Sequence, residues 1–481
     1  MNPRVVLRVL GLLVFATGVA MLFPLLCAVI YHEAELRVFL LNGLLGVVVG
    51  GGLVLLGRGR HELGTRDGFL IVTFGWILVA LMGALPFWLS GSIPSFSDAY
   101  FESMSGFTTT GASILTDIEA QSHSMLLWRS LIQWLGGMGI VVLSLAILPI
   151  LGIGGMQLFK AEAPGPTPDR LTPRIKETAK LLWGVYVLIS AAEVLALILS
   201  GLSPFDALCH TFTTMATGGF STRDASVAAL HNPAAEIIMI VFMFIAGANF
   251  SLHFAALRGR LKDYFRDDEF RTYLVVILVA ATTIFLSNLR LTDFSIGRNL
   301  RGSFFQVVSI MTTTGFCTDD YARWGSMPQY LLLLLMFIGG CAGSTGGGMK
   351  NARFLIFMRH ASNELRKLLH PRAVYTIRFN KSAVPPDIVT NIMGFILLMM
   401  IITTLATFCM TLVGLDLVSA FGSVAATLNN IGPGVGSVGP TNNFAHVHVV
   451  GKWVLTFCML VGRLELYTVL VLFAPEFWRK H

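Results

Sequence analysis

Long apolar runs alternate with short polar segments along the whole 481-residue chain. A helix needs about twenty apolar residues to cross the roughly 30 Å hydrocarbon core of a bilayer. We predict ten such segments. The first resembles a signal peptide, but we count it as a membrane helix because it is too long for a signal peptide and no clear small-residue cleavage site follows it. The eighth is interrupted by glycines. The ten lie near 9–31, 36–57, 68–90, 125–151, 181–201, 234–257, 272–289, 329–360, 388–413 and 452–474.

The polar segments between the apolar runs carry an uneven share of positive charge. If both termini and every second connection lie on one side, that side holds 25 of the 34 Lys and Arg residues. Cytoplasmic loops of membrane proteins carry such an excess. The pattern therefore predicts a multi-pass protein with both termini in the cytoplasm.

A short Thr-Gly motif occurs four times, at intervals of about one hundred residues, on the predicted outer side. A gapless alignment that starts at a small residue (Ala99, Ala207, Ser303 or Ala420) reaches the motif glycine after twelve residues in every copy. One copy alone would be an ordinary turn, but four in the same register indicate an internal repeat. The motif positions are Thr109-Thr110-Gly111, Thr217-Gly218-Gly219, Thr313-Thr314-Gly315 and Asn430-Ile431-Gly432.

Each motif follows a stretch of about a dozen residues, which is too short to span a bilayer. We expect a re-entrant half-helix whose partially negative carboxyl end faces the motif, with the motif backbone lining a water-filled path. The predicted fold is an all-α membrane protein with four helix, re-entrant loop, helix repeats around one pore, plus two extra N-terminal helices. The predicted units are 1–60 for the extension and 61–165, 166–262, 263–385 and 386–481 for the repeats.

Composition supports a membrane protein and excludes several other classes. The chain is 54% hydrophobic and only 13% charged, with a mean hydropathy of +0.73, whereas soluble chains carry about 25% charged residues. The net charge of +7 lies in short clusters without interleaved aromatics, so nucleic-acid binding is not predicted. The six cysteines show no metal-ligand spacing, and no nucleophile and base pair suggests an enzyme.

The four motifs suit the transfer of a bare cation out of water. Four-fold rings of backbone carbonyls replace the hydration shell of K⁺, and glycine permits the backbone conformation that turns successive carbonyls inward. We therefore predict that the twelve motif positions form one K⁺ site, mainly through backbone carbonyls, with no organic cofactor. An intramembrane enzyme that uses the glycine-rich segments as a cavity is the rival from another class.

The four motifs and the end of each repeat's second helix resemble the Trk/Ktr/HKT superfamily of potassium transporters, and most closely its Trk-type bacterial membrane subunits. The resemblance covers essentially the whole chain. It implies four pseudo-symmetric units around a K⁺-selective filter. Gly218 replaces a threonine in the second copy, and Asn430 with Ile431 precedes the glycine of the fourth. The ring is therefore asymmetric, and a less selective K⁺/Na⁺ channel stays open as an alternative.

Two further features concern gating. The interrupted eighth segment contains the run Gly339 to Lys350, which cannot continue as a helix at about 1 kcal/mol lost per glycine and lacks the Gly-Lys-Ser/Thr of a nucleotide loop. The resemblance implies an intramembrane loop that obstructs the pore; a close-packing glycine patch is the alternative. The predicted gate residues are Gly343, Ser344, Thr345, Gly346, Gly347 and Gly348.

Arg463 lies midway along the last apolar segment, where an unpaired charge costs several kcal/mol. The resemblance implies that it faces the pore below the filter as a barrier to cations, and we include it in the gate. The alternative is a structural ion pair. Glu465 points elsewhere on a continuous helix, which leaves Glu193 as the conceivable partner.

The predicted function is gated, passive K⁺ uptake across the bacterial inner membrane, with K⁺ symport coupled to H⁺ or Na⁺ as an alternative in which Glu193 would take part. The resemblance also implies a homodimer and a cytoplasmic, TrkA-like ring of regulatory subunits that binds nucleotides. The basic segments Lys160 to Lys180, Arg258 to Arg271 and Arg359 to Lys381 are candidate docking surfaces. Four acidic residues lie in the predicted outer loops, where they form either a negative vestibule or an ordinary solvated loop: Asp117, Glu119, Asp319 and Asp320.

Overall fold

The structure, a computed structural model, describes residues 2–59, 64–146, 171–291 and 295–479. Helices dominate these residues, as predicted, and six of them are long and apolar enough to cross a membrane. The number rises to eight if each of two sharply bent helix pairs counts as one span. The remaining predicted segments form the helices His123–Ala146 and Ser326–Ile338.

The N-terminal extension is a tightly packed helical hairpin. Pro3–Ala20 continues into Leu22–Ile30, and Leu36–Leu56 returns alongside. A β-carbon added to Gly50 would lie 2.7 Å from the carbonyl oxygen of Gly11. Small residues allow such close approach where lipid provides no hydrophobic driving force between helices.

Four repeats follow, each with a first helix, a short re-entrant helix and a second helix. The predicted repeat boundaries at 61, 165 and 166 lie outside the described residues, so that exact division stays a prediction. The first helices are Thr65–Leu89, Leu171–Leu199, Asp268–Leu291 and Pro386–Leu412. The re-entrant helices are Phe96–Phe107, Pro204–Met215, Ile296–Met311 and Leu417–Leu428. The second helices begin with His123–Ala146, Pro233–Ala246, Ser326–Ile338 and Val449–Arg463.

A serine or aspartate stands at the N-cap of every re-entrant helix. Ser203 accepts a hydrogen bond from the Asp206 amide at 3.0 Å, and Asp416 accepts one from the Ser419 amide at 3.1 Å. Hydrogen bonds from Ser419 lower the pKa of the exposed Asp416 carboxyl below its usual value. Such hydrogen bonds fix where three of the four helices begin, since Ser95 accepts none, and twelve to sixteen residues later all four helices end at a Thr-Gly motif.

The second helices of repeats two, three and four are broken. The break in repeat three was predicted, but we predicted continuous segments at 234–257 and 452–474, and both are wrong. Pro233–Ala246 meets Phe250–Leu257 at 101°, and Val449–Arg463 meets the segment Tyr467–Phe473 at 111°. Asn249 caps the new helix by accepting from the Ser251 amide, and Glu465 adopts a φ of 57° at the second break. Apolar composition conceals such breaks because both halves remain hydrophobic.

The helix Asn351–Leu369 follows the break in repeat three and leads into a two-stranded antiparallel hairpin, Arg378–Phe379 with Ser382–Ala383, in which Arg378 pairs with Ala383. Further short helices are Lys262–Arg266, Tyr467–Leu470 and Pro475–Trp478. The 3₁₀ turns are Ser226–Leu230, Tyr321–Arg323, Gly436–Val438 and Val471–Phe473.

Candidate functional site

The four Thr-Gly motifs, hereafter filter segments one to four, share one unusual backbone conformation. In each segment the motif glycine and the residue two before it have positive φ, while the residue between them does not. Alternation of positive and negative φ allows successive carbonyls to point to one side of the chain, as in carbonyl-lined filters. The φ values are 51° and 79° for Thr109 and Gly111, 52° and 75° for Thr217 and Gly219, 61° and 82° for Thr313 and Gly315, and 54° and 101° for Asn430 and Gly432.

The segments close into a ring, in chain order. A β-carbon added to each motif glycine would collide with the next segment. The atom it would meet first is the carbonyl oxygen of the residue just before the motif glycine of that next segment. The ring therefore consists of four carbonyls held against four glycines by near contact. The four contacts run from Gly111 to Gly218, from Gly219 to Thr314, from Gly315 to Ile431 and from Gly432 to Thr110.

A cavity of about 140 Å³ opens on one end of this ring, and all four motif glycines line it. Arg129, Arg223 and Asp224 contribute charged side chains to its wall. The acidic residues that we considered for a negative vestibule are absent from this lining. Of these residues, Asp320 pairs with Arg323 at 3.1 Å, and Glu119 lies 3.8 Å from the cavity-lining Arg223.

The outer ends of segments one and two are joined by a buried ion pair that the sequence analysis missed. Glu102 is fully buried and accepts hydrogen bonds from Arg129 Nε at 2.8 Å and from the Ile114 amide at 2.9 Å. Arg129 donates in addition to the Ser221 carbonyl at 2.9 Å and to the Ser113 hydroxyl at 3.2 Å. A buried pair survives desolvation only when further hydrogen bonds satisfy it, and this one is well satisfied.

The fourth segment, whose sequence departs from the other three, is held by its own Asn430. Asn430 Nδ2 donates to the Thr110 hydroxyl at 2.9 Å and to the Met459 carbonyl at 3.0 Å. Asn430 therefore links the fourth segment to its neighbour in the ring, the first segment, and to the second helix of its own repeat.

The glycine-rich loop, Gly339–Lys350, lies against the opposite end of the ring from the cavity. The Gly347 amide donates to the Thr313 hydroxyl at 2.6 Å, and the Gly348 amide donates to the Asn429 carbonyl at 3.1 Å. The Thr345 hydroxyl donates to the carbonyl of Met215, the last residue of the second re-entrant helix, at 3.0 Å. The loop thus contacts three of the four repeats directly beneath the filter segments.

Arg463 connects this loop to the first repeat. Its side chain is 3% exposed, and it donates to the Thr345 carbonyl at 2.7 Å and to the Gly136 carbonyl at 3.3 Å. The alternative of an ion pair with Glu193 is not what the structure shows, because both Glu193 carboxylate oxygens lack a hydrogen-bond partner among the described residues. Glu465 pairs with Arg353 at 2.5 Å, so it is not the partner either.

A second carboxylate that the sequence analysis missed holds both ends of the loop. Glu269, at the start of the third repeat, accepts from the Ala342 amide at 2.7 Å and from the Ala352 amide at 2.9 Å through the same oxygen. The Glu269 carbonyl also accepts from Asn351 Nδ2 at 2.8 Å. The only sequence signal is an acidic residue at the start of an apolar run, which is too common to be informative.

We expect Glu269→Ala to increase basal ⁸⁶Rb⁺ flux in liposomes, because two amides at the ends of the loop, one buried and one partly buried, lose their acceptor. The loss of an acceptor costs a buried amide about 1–3 kcal/mol. Glu269→Gln keeps an acceptor oxygen and should change flux less. Glu364→Ala removes an exposed carboxylate that pairs only locally, with Lys367 and His360, and is the matched control. A folded Glu269→Ala protein with the flux of the unsubstituted chain would contradict this assignment.

Together, four membrane-embedded repeats and one ring of re-entrant segments define a pore-loop membrane transport protein. Comparison with known proteins identifies its family. A family model described as "TrkH: Cation transport protein" matches residues 35–480, and this chain belongs to the TrkH family.

Its relatives align along the entire chain. The Trk system potassium uptake protein TrkH of Salmonella typhimurium is 46% identical over 486 residues and is covered completely, as is this chain. The Trk system potassium uptake protein TrkG of Escherichia coli is 35% identical over 99% of both chains. The crystal structure of the potassium transporter TrkH from Vibrio parahaemolyticus superposes with a TM-score of 0.92, at 41% identity and full coverage of both chains.

Proposed function

We propose that this chain conducts K⁺ into the bacterial cytoplasm through the ring formed by the four filter segments. The alternating φ pattern, repeated in all four segments and closed carbonyl to glycine, is the single observation that carries the proposal. Carbonyl rings of this kind replace the hydration shell of K⁺. The twelve motif positions named above would bind the ion, mainly through backbone oxygens, and no catalytic step takes place on the chain.

The glycine-rich loop and Arg463 act as the gate in this proposal. The loop lies under the filter segments. Two amides and one hydroxyl of its residues 343–348 donate to Thr313 of segment three and to Asn429 and Met215, which precede segments four and two. The Arg463 guanidinium adds a positive charge at the same level. An inward-negative potential supplies about 2.3 kcal/mol per charge per 100 mV, so an open gate suffices for uptake.

The setting follows from charge and family. The excess of Lys and Arg in alternate connections supports cytoplasmic termini, and the relatives named as parts of Trk systems support additional subunits. We propose a homodimer in the inner membrane that binds a cytoplasmic, nucleotide-binding ring of TrkA-like subunits. Arg258 to Arg271 and Arg359 to Lys381 are the described docking candidates, whereas most of Lys160 to Lys180 lies outside the described residues.

The direct test is ⁸⁶Rb⁺ flux into liposomes that contain only the purified chain, with K⁺ or Na⁺ as competitor. We expect K⁺ to suppress the ⁸⁶Rb⁺ signal at concentrations at which Na⁺ does not. Equal suppression by both ions would reject a K⁺-selective filter and favour the less selective K⁺/Na⁺ channel. Absence of flux from the folded chain, with and without its cytoplasmic partner, would reject conduction altogether.

K⁺ symport with H⁺ or Na⁺ is the second candidate function, and one observation favours it. Glu193 is fully buried in the first helix of the second repeat, and neither carboxylate oxygen has a hydrogen-bond partner among the described residues. Buried, unpaired carboxylates in membranes often carry protons. Coupling to H⁺ predicts that an ionophore that collapses the proton gradient at constant membrane potential reduces K⁺ uptake, and that Glu193→Gln removes this sensitivity.

A further inference from the structure

Filter segments one and three contain a side-chain link that segment two lacks. The hydroxyls of Thr108 and Thr110 lie 2.8 Å apart, and those of Thr312 and Thr314 also lie 2.8 Å apart. Gly218 occupies the corresponding position in segment two and has no side chain to offer. Because glycine is the most flexible residue, the backbone conformation of segment two is less stabilised by its own side chains than that of segments one and three.

Gln133, from the second helix of repeat one, fills the space beside Gly218. A β-carbon at Gly218 would collide with the Gln133 side-chain amide. Gln133 Nε2 donates to the Gly218 carbonyl at 2.7 Å, and its Oε1 accepts from the Phe220 amide at 3.1 Å. This fully buried side chain thus grips segment two on both sides of Gly219.

Arg129 lies one helical turn before Gln133 and holds the next part of the same segment. Its guanidinium donates to the Ser221 carbonyl at 2.9 Å and lies 3.9 Å from the centre of the Phe220 ring. Glu102 fixes the guanidinium in turn, at 2.8 Å. One face of the repeat-one helix therefore supports segment two through side chains at residues 129 and 133.

We propose that Gln133 is a positioning residue that sets the K⁺ preference of segment two. Its side chain, which comes from the neighbouring repeat, replaces the threonine link that segment two lacks at Gly218. The proposal rests on the proposed function, because it assigns the Gly218 carbonyl to the ion-binding ring. Preference for K⁺ over Na⁺ depends on where the ring carbonyls lie and how they point. Without Gln133, the Gly218 carbonyl can rotate or move toward a smaller ion.

The test is Gln133→Leu, which keeps the side-chain size and removes both hydrogen bonds. We expect the K⁺ over Na⁺ preference in the ⁸⁶Rb⁺ competition assay to fall at least about fivefold, while flux persists. Gln329→Leu is the matched control, since Gln329 also lies in a second helix and donates to the backbone carbonyls of Ala322 and Trp324, away from the filter. The control should keep the ion preference.

A pair of substitutions separates this role from general stability. Gly218→Thr alone should impair flux because its side chain collides with Gln133. Gly218→Thr together with Gln133→Ala provides both the space and a threonine of the type found in segments one and three. We expect the double variant to recover more of the K⁺ preference than either single change, a rescue that a merely structural role does not predict.

The outcomes separate the two proposals. If the unsubstituted chain itself shows no K⁺ preference, the proposed function fails. If the unsubstituted chain prefers K⁺ and Gln133→Leu retains that preference, only the inference about Gln133 is overturned. Should Gln133→Leu not fold, Gln133→Asn decides, because its shorter side chain cannot reach both the Gly218 carbonyl and the Phe220 amide; an unchanged preference there also overturns the inference.

Discussion

Alanine at Gly219 or Gly315 is expected to abolish ⁸⁶Rb⁺ flux while leaving the protein folded in the membrane. Both glycines have positive φ, 75° and 82°, a conformation that costs an L-residue about 1–2 kcal/mol. The added β-carbon would also collide with the carbonyl oxygen of Thr314 or Ile431 in the next segment. Since every 1.4 kcal/mol is a factor of about ten, strain plus collision gives an expected loss of roughly 100-fold or more.

Two other glycines sharpen this experiment. Gly432 has more room, because a β-carbon there would lie 2.8 Å from the Thr110 carbonyl oxygen, so Gly432→Ala should retain more flux than Gly219→Ala. Gly302 lies in the third re-entrant helix with open space around it, and Gly302→Ala is the control that should conduct normally. Equal flux from Gly219→Ala and Gly302→Ala would contradict the ring.

The Gly111→Ser variant tests selectivity at the same site. Its side chain would enter the space of the Gly218 carbonyl, which Gln133 positions. We expect reduced flux together with weaker discrimination against Na⁺ in the competition assay. Full flux with unchanged discrimination would show that the first glycine is not part of the ion-binding ring.

The repeat was predictable because its signal is local. Each re-entrant helix has a serine or aspartate at its N-cap and is followed by a glycine at a fixed distance from a small residue such as Ala99 or Ala207. The common register of four copies compensates for the weakness of any single copy. Local rules of this kind, capping and glycine conformation, act through neighbours in the chain and are therefore visible in one sequence.

The supports of the ring were not predictable for the opposite reason. Gln133 acts on a residue 85 positions away, and Glu102 meets Arg129 only after two helices have packed. A polar or charged residue on a membrane helix indicates that it has a partner in the folded protein, but it does not indicate which residue the partner is. The departure at Gly218, which suggested a weak point in the ring, becomes intelligible only once Gln133 is seen in the vacant space.

The interrupted helix of repeat three was predictable because six glycines between 339 and 348 exclude a stable helix. The breaks at residues 247–249 and 464–466 lack that signal, since apolar residues continue on both sides. The second break also changed the interpretation of Glu465. On a continuous helix it would point away from Arg463, whereas at the break it turns to pair with Arg353 of the helix that follows the glycine-rich loop.

Arg463→Ala is expected to raise ⁸⁶Rb⁺ flux at least about tenfold, through two effects of one side chain. Its guanidinium binds the Thr345 and Gly136 carbonyls, so its removal frees the loop from the first repeat. Its charge also opposes a passing cation; two unit charges 8 Å apart repel by about 2 kcal/mol at an effective dielectric constant of 20. Loss of either effect increases conduction, and loss of both increases it most.

Two further substitutions at the same position separate charge from attachment. Arg463→Lys keeps the charge but loses the fork that spans two carbonyls, and Arg463→Gln loses the charge but keeps one donor group. If the charge is the main barrier, flux should rise in the Arg463→Gln and Arg463→Ala proteins but stay low in Arg463→Lys. If attachment of the loop dominates, Arg463→Lys should conduct nearly as well as Arg463→Ala. Unaltered or lower flux in a folded Arg463→Ala protein would count against both, and would leave the loop alone as the obstacle beneath the ring.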